Sequence, residues 1–329
     1  MRVVALGARL ALLATAFIFA IGFGGARLDA GQNPPPAPAP PVPPSTDQTP
    51  PAPVVEQAAP ATVVLVGAGD IANCEVAGGS GAVATARLLD LIPGTVFTLG
   101  DHAYPMGTAD QFRDCYGPRW GRFKDRTRPA PGNHDYLTAN AGPYFDYFGE
   151  AAGPDRRGYY SYTLGAWHII SLDSSIDASA HSPQGEWLRK DLAENHTVCT
   201  LAYWHIPLFS SGPHGSDPRE AAHMLDVWRA LYEAGADVVV NGHDHDYERF
   251  APQDPGGKSD PKKGIREFVV GTGGGGLYEF RGSRRNSEIR NNRSYGLIKF
   301  TLGATGYSWE YLSAAGEPFH DSGSGTCVQ

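Results

Sequence analysis

Two histidines separated by one residue follow a short apolar run near residue 240. Residues 236–240 are typical of a buried strand, and His243 and His245 come directly after it. Side chains two positions apart point the same way in extended backbone, so we expect both imidazoles to face one point beyond the strand. Imidazole is a ligand for zinc, iron, copper and nickel. This segment therefore predicts part of a metal site.

Other residues with metal-binding or acid–base side chains also follow apolar runs. Taken singly, each has an ordinary explanation as a turn residue, a helix cap or a core histidine. Their shared position is what matters, because ligands of open α/β sheets lie beyond the carboxyl ends of the strands. The further candidates are Asp70, Asp101, Tyr104, Asn133, His134, His205 and His214.

The types of candidate ligand indicate how many ions the site would hold. Two carboxylates, one phenolate, one amide oxygen and three imidazoles are too many for one tetrahedral zinc ion and suit a two-metal centre with a bridging carboxylate. The phenolate favours a trivalent ion such as Fe(III). One trivalent and one divalent ion, set against these anionic ligands and a bridging hydroxide, leave about one positive charge to attract a phosphate dianion. The predicted ligands are Asp70, Asp101, Tyr104, Asn133, His205, His243 and His245.

The elements that must position these residues alternate between strands and helices, and hairpins follow later in the chain. This order predicts an α/β layered domain with a mixed sheet. The predicted strands that precede ligands are 62–66, 95–99, 200–204 and 238–240. Helices are predicted at 83–91, at 183–192 with Ser182 as N-cap, and at 219–234 with Gly235 as the stop. The predicted hairpins pair 159–163 with 167–172 and 295–301 with 307–312.

Five motifs in this order resemble the calcineurin-like metallophosphoesterase superfamily, and they are most similar to its purple acid phosphatase branch. The resemblance spans about Val63 to Gly276. The motifs are Gly69-Asp70, Gly100-Asp101-His102-Ala103-Tyr104, Gly132-Asn133-His134-Asp135, Trp204-His205, and the run from Gly242 to Arg249. Many members of the superfamily begin with an Asp-x-His motif. In this chain Asp70 is followed by Ile71 and that histidine is missing. Tyr104 takes its place, as in purple acid phosphatases.

The resemblance implies a role for each ligand. Asp70, Tyr104 and His245 would hold the Fe(III)-type ion. Asn133, His205 and His243 would hold a divalent ion (zinc, iron or manganese), and Asp101 would bridge the two. Tyr247 and Arg249 would support the ligands from behind. His102 departs from the family pattern, and either it faces the substrate or it lies in an exposed loop.

The same resemblance implies a fold and a reaction. The fold would be a layered α-β-β-α sandwich with mixed sheets, and residues 61–329 would form the catalytic domain. The reaction would be hydrolysis of a small phosphate monoester by metal-activated hydroxide. His134 and His214 would stabilise the transition state, and one of them would protonate the leaving alkoxide. Two alternatives stay open: a phosphodiesterase or nucleotide-cleaving enzyme on the same site, and an inactive exported binding module.

The N-terminal region and the composition bear on location and partners. Residues 1–26 are typical of a secretory signal peptide, although a retained anchor is an alternative, and residues 27–60 are a proline-rich linker. We therefore expect a secreted, periplasmic or cell-surface protein with no stable membrane span once the signal is cleaved. The net charge of −8 argues against nucleic-acid binding. Oligomeric state is not indicated.

The cysteines fit an exported protein. Four cysteines follow the signal, and an even number in an exported chain suggests up to two disulfides. Three connectivities are possible. We favour Cys74–Cys115, which would join two loops after strand ends, and Cys199–Cys327, which would fix the C-terminus.

Overall fold

A computed structural model describes residues 62–76, 80–216 and 222–328 of the 329-residue chain. The predicted signal peptide and linker lie outside these residues and remain predictions. In the part of the chain described, no helix is both long enough and apolar enough to cross a membrane.

Two mixed β-sheets form the centre of the fold. In the six-stranded sheet the order is β15-β14-β13-β1-β3-β5, with β1, β3 and β5 parallel and β13–β15 antiparallel. Its strands are β1 (Val63–Ala68), β3 (Thr95–Leu99), β5 (Thr127–Ala130), β13 (Ser294–Leu302), β14 (Gly306–Gly316) and β15 (His320–Thr326).

The seven-stranded sheet has the order β12-β10-β11-β9-β8-β7-β6, and β7, β8, β9 and β11 are parallel. Its strands are β6 (Tyr160–Leu164), β7 (Trp167–Ser171), β8 (Cys199–Trp204), β9 (Val238–Asn241), β10 (Tyr247–Phe250), β11 (Arg266–Val270) and β12 (Ser287–Asn291). A two-residue pair, β2 (Ala72–Asn73) and β4 (Ala103–Tyr104), stands apart.

Side chains from the two sheets pack against each other. The ring centroids of Phe97 and Tyr203 are 5.4 Å apart, and those of Phe268 and Phe300 are also 5.4 Å apart. The parallel central strands have nearly continuous apolar sequences because both of their faces are covered. Helices cover the outer faces: α1 packs on β13 and β14, and α4 and α5 lie on the other sheet. The predicted layered α/β fold with mixed sheets is therefore confirmed.

The described residues contain five α-helices, and their bounds largely follow the predictions. They are α1 (Ser80–Leu91), α2 (Ala109–Gln111), α3 (Gly142–Phe148), α4 (Pro183–Glu194) and α5 (Leu225–Glu233). Ser182 caps α4 by accepting the N–H of Gly185, as predicted. The predicted helix 219–234 is shorter: α5 begins only at Leu225, and residues 217–221 lie outside the described part.

Both favoured disulfides are present, Cys74–Cys115 and Cys199–Cys327. The first joins the segment after β2 to the short helical turn that follows α2. The second ties the end of the chain to the start of β8. The preferred connectivity is therefore confirmed.

Candidate metal centre

Every predicted ligand lies at or just beyond the end of a strand. Asp70 follows β1, Asp101 follows β3 and Asn133 follows β5, so three parallel strands of one sheet deliver three ligands to one edge. His205 follows β8, and the His243–His245 segment follows β9, which is the adjacent parallel strand of the other sheet. Tyr104 lies on β4. The centre therefore lies where the ends of the two sheets meet.

Three predicted ligands form a first group around the Tyr104 hydroxyl. That oxygen lies 2.7 Å from Asp70 Oδ1 and 2.9 Å from His245 Nε2. His245 Nε2 is also 3.2 Å from Asp70 Oδ1. All three side chains are buried. They are the residues predicted to hold the trivalent ion.

Three further predicted ligands form a second group, which is centred on the ring of His205. Its Nε2 atom lies 2.8 Å from Asn133 Oδ1 and 3.1 Å from His243 Nδ1. The opposite ring nitrogen, Nδ1, is 2.6 Å from the carbonyl oxygen of Leu99, which fixes the orientation of the ring. These residues are those predicted to hold the divalent ion.

Asp101 lies between the two groups. Its Oδ2 atom is 3.0 Å from the Tyr104 hydroxyl and 3.3 Å from His205 Nε2. Donor atoms of Asp70, Asp101 and His205 all lie within 4.8 Å of one another. Its carboxylate is fully buried, and its other oxygen accepts the backbone N–H of His134 at 2.8 Å. Such a position suits a carboxylate shared by two ions.

The donor set fits two cations better than it fits protons. The Tyr104 hydroxyl has one proton but faces two carboxylates and one imidazole, so a proton can satisfy only one of them. Burial and the charges of Asp101 and Asp70 raise the pKa of Tyr104 well above its ordinary value. A bound cation reverses this effect, because it stabilises the phenolate directly.

His205 shows the same conflict. Its Nδ1–H donates to Leu99, so a neutral ring directs the Nε2 lone pair at the oxygens of Asn133 and Asp101. Burial lowers the pKa of His205, but the carboxylates of Asp101 and Asp70 outweigh it and raise the pKa to about 10. Metal binding at Nε2 requires this nitrogen to be unprotonated.

The backbone at the ligands differs from the simple strand-end expectation. Asp70, Asp101 and His243 adopt left-handed conformations, with φ of 59°, 51° and 70°. Residues after His243 are consequently not extended, and its ring turns to His205 while that of His245 turns to Tyr104. The premise that the two imidazoles face one point was therefore wrong. Left-handed non-glycine residues are costly and cluster at functional sites.

Glycines that precede ligands allow the loops to approach closely. A Cβ atom on Gly132 would lie 2.2 Å from Asp101 Oδ1, and one on Gly242 would lie 2.7 Å from Asp70 Oδ2. No side chain fits at either position without displacing a carboxylate. The Gly-Asn and Gly-His pairs of the motifs are thus a packing requirement of this centre.

His134 and His214, the predicted acid–base residues, lie at the open side of the centre. His134 Nδ1 is 2.6 Å from the carbonyl oxygen of Pro105, and its Nε2 is 4.0 Å from Asp101 Oδ2. The ring of His214 lies 4.1 Å from that of His243, centroid to centroid. Both residues are partly exposed.

Both expectations for His102 were wrong. The side chain is fully buried among aromatic rings, with Nδ1 2.9 Å from Asp135 Oδ2 and Nε2 2.7 Å from Thr98 Oγ1. Asp135 Oδ2 also accepts the backbone N–H groups of Asp101 and Gly132, at 3.1 and 2.9 Å. This pair therefore joins the two loops that carry Asp101 and Asn133.

The expectation for Tyr247 and Arg249 also needs correction. The Tyr247 hydroxyl donates to Asp321 on β15 at 2.7 Å, and Arg249 Nε donates to the same carboxylate oxygen at 2.8 Å. Arg249 also pairs with Glu288. None of these partners is a predicted ligand, so the two residues join the sheets rather than support the centre.

Three residues at the site were not predicted as functional from the sequence. The ring of Tyr278 stacks on His245 with a centroid distance of 3.9 Å and an interplanar angle of 7°. Asp135 joins ligand loops, as described above, although it was visible as the last residue of its motif. Asp244, fully buried between the two histidines, accepts the backbone N–H of His214 at 3.0 Å. No pattern in the sequence indicates the Tyr278 contact.

Comparison with known proteins agrees with this geometry. The family model of calcineurin-like phosphoesterases matches residues 54–247. Purple acid phosphatase 15 of Arabidopsis thaliana is 32% identical over 198 residues, which cover 50% of this chain and 37% of the relative. Purple acid phosphatase 18 of the same plant is 33% identical over 129 residues, which cover 38% and 29%. The matched part thus spans about a third of the length of these relatives.

A solved structure supports the fold. Purple acid phosphatase PPD1 from yellow lupin (Lupinus luteus) superposes with a TM-score of 0.65 and 21% identity, covering 82% of this chain and 54% of the lupin chain. The resemblance that the five motifs indicated is therefore confirmed. The curated relatives named above are purple acid phosphatases. The chain belongs to the calcineurin-like phosphoesterase family.

Proposed function

We propose that this metallophosphoesterase is an exported phosphatase that hydrolyses phosphate monoesters at a centre of two metal ions. The observation that carries the proposal is the position of Asp101 Oδ2, 3.0 Å from the Tyr104 hydroxyl and 3.3 Å from His205 Nε2. One carboxylate oxygen thus contacts both groups of donors. Tyr104 favours an Fe(III)-type ion in the first group, and the neutral Asn133 and imidazoles favour a divalent ion in the second.

When bound, the two ions would neutralise the charge of the phosphate and lower the pKa of a water nucleophile. The chain supplies the remaining chemistry. Because His134 Nδ1–H donates to Pro105, its Nε2 atom is directed to the open side of the centre. A proton held there can pass to the departing alkoxide. His214, whose ring lies 4.1 Å from that of His243, can donate to a phosphate oxygen. The proton chemistry thus needs no residue outside the described site.

The test is the absorption spectrum of the purified protein with its native metals. We expect two metal ions per chain and a visible tyrosinate-to-Fe(III) charge-transfer band, which disappears in Tyr104→Phe. The same preparation should hydrolyse p-nitrophenyl phosphate faster than its bis ester. An active, metal-loaded enzyme without the band would contradict the Fe(III) assignment. Faster turnover of the bis ester would indicate a phosphodiesterase, and absence of both metal and turnover would indicate a binding module.

A further inference from the structure

A cavity of about 310 Å³ adjoins the loop that carries His214. One wall is formed by residues 210–212 of this loop. The other wall is formed by residues 281–284, which follow the glycine-rich run after β11. None of the predicted metal ligands lines the cavity, and the reaction proposed above makes no use of it.

The lining has the chemistry of an anion site. It consists of the arginines Arg281 and Arg284, three serines and two glycines, with no carboxylate among them. Within residues 62–76, 80–216 and 222–328, neither arginine forms an ion pair with a carboxylate. A neighbouring cavity that also contains Arg281 differs, because Glu288 lines it. Two guanidinium groups without a carboxylate partner among the described residues thus line one cavity, and the planar fork of a guanidinium matches phosphate oxygens.

Backbone contacts hold the cavity next to the metal centre. The N–H of Arg281 donates to the Ser211 carbonyl oxygen at 3.0 Å, and the N–H of Arg284 donates to Ser211 Oγ at 2.9 Å. Ser211 in turn donates its own N–H to Glu248, a buried residue of β10, at 2.7 Å. The two walls are thus fixed to each other and to the sheet that carries His243 and His245.

The distance between the cavity and the centre suits one small molecule. Gly212 lines the cavity, and the ring of His214, two residues later, lies 4.1 Å from the ring of the predicted ligand His243, centroid to centroid. Two residues of extended chain span at most about 7 Å. A phosphate in the cavity and a phosphate at the metals can therefore belong to one sugar or nucleoside bisphosphate.

We propose that the cavity binds a second phosphate group of the substrate, so that the preferred substrates carry two phosphates, one at the metals and one between Arg281 and Arg284. This proposal rests on the proposed function, because it needs the scissile phosphate at the metal centre. It adds a substrate class, a bisphosphorylated small molecule, and two specificity residues.

The test compares fructose 1,6-bisphosphate with fructose 1-phosphate, using the metal-loaded full chain. We expect a kcat/KM about tenfold higher for the bisphosphate, and a lower KM should account for most of the difference. The double variant Arg281→Gln/Arg284→Gln should remove most of this preference and leave p-nitrophenyl phosphate hydrolysis within about twofold of the wild type. Arg285→Gln is the matched control, because Arg285 is an exposed arginine of the same segment that does not line the cavity.

Several outcomes would overturn the proposal. A wild type that hydrolyses p-nitrophenyl phosphate but treats the two sugars equally refutes the second-phosphate site and leaves the proposed function intact. An equal loss in Arg285→Gln would assign the effect to general surface charge. If sulfate changes the rate on p-nitrophenyl phosphate only when Arg281 and Arg284 are present, and the bisphosphate has no advantage, the cavity binds a free anion instead. A metal-loaded protein that hydrolyses no monoester refutes both proposals.

Discussion

Replacement of Gly132 by alanine tests whether close packing of two ligand loops builds the centre. Gly132 directly precedes the predicted ligand Asn133, and its added Cβ would lie 2.2 Å from Asp101 Oδ1 and 2.5 Å from Asp101 N. Real Cβ atoms essentially never approach another heavy atom within 3.0 Å, so the carboxylate or the loop must move by about 0.8 Å. The φ angle of Gly132 is not in the left-handed region, so the effect is steric.

The size of the effect follows from that displacement. Misplacement of a reacting group by about 1 Å costs about 100-fold in rate, and loss of support behind a ligand costs about 10- to 100-fold in metal affinity. We therefore expect Gly132→Ala to lower kcat/KM for p-nitrophenyl phosphate about 100-fold. We also expect fewer than two metal ions per chain, measured by mass spectrometry of the metals after dialysis against a weak chelator.

Gly142→Ala is the matched control. Gly142 starts α3 with a φ of −49°, and nothing lies within 4 Å of an added Cβ atom. This variant should keep both its metals and its activity. Circular dichroism should show both variants folded. If Gly132→Ala binds two metals and keeps its activity within about twofold of the wild type, the close approach of the loops does not define the centre.

Three further predictions concern a disulfide, the hydrogen-bond acceptor Asp135 and the proposed acid His134. Cys199→Ser/Cys327→Ser should lose up to about 4–5 kcal/mol of unfolding free energy in urea because the bridge closes a loop across 128 residues, while metal content stays unchanged. Asp135→Ala should lower metal affinity about 10- to 100-fold in a chelator competition, because the backbone of Asp101 loses its acceptor; unchanged affinity would assign Asp135 to folding alone. His134→Ala should lower kcat on alkyl phosphates by at least about 100-fold, with a smaller loss on p-nitrophenyl phosphate, whose leaving group needs no proton; equal losses would refute the general-acid role.

The parts of the fold with strong hydrophobic runs could be predicted from the sequence. β1, β3, β8 and β9 are mostly apolar because helices or the facing sheet cover both sides, and a run of that kind is easily recognised. Asp70, Asp101, His205 and His243 could be found for the same reason, since each one follows such a run within a few residues.

Elements with mixed sequences were not predicted. β15 reads His-Asp-Ser-Gly-Ser-Gly-Thr, and β12 reads Ser-Glu-Ile-Arg-Asn, which are compositions typical of loops. Each lies at the edge of its sheet, where one side of the strand has no partner and polar side chains face solvent. α3 begins with Gly-Pro and has only seven residues, too few for helical periodicity to be visible. The two edge strands form because the interior strands β14 and β10 offer them hydrogen-bonding groups.

The misplaced side chains share a different cause. Tyr247 and Arg249 were predicted to support the ligands, and His102 to face the substrate or to lie in an exposed loop. Their partners are distant in sequence: Asp135 for His102 and Asp321 for the other two. Local patterns identify which residues follow a strand, but only the tertiary structure determines to which side a left-handed turn directs them.

The left-handed turns also explain why the ligand loops depend on the rest of the fold. Asp70, Asp101 and His243 together carry conformational strain on the order of several kcal/mol, at about 1–3 kcal/mol each. Their buried carboxylates and imidazoles also lie close to one another. Such a centre forms only if hydrogen bonds impose it, and they do: Asp70 N donates to Gly100 O, Gly242 N donates to His205 O, and His243 N donates to Asp70 Oδ2. These three bonds join loops from both sheets. The apo centre is therefore held in a metal-ready arrangement by the sandwich, and metal binding should raise the melting temperature by stabilising the folded domain rather than by folding it.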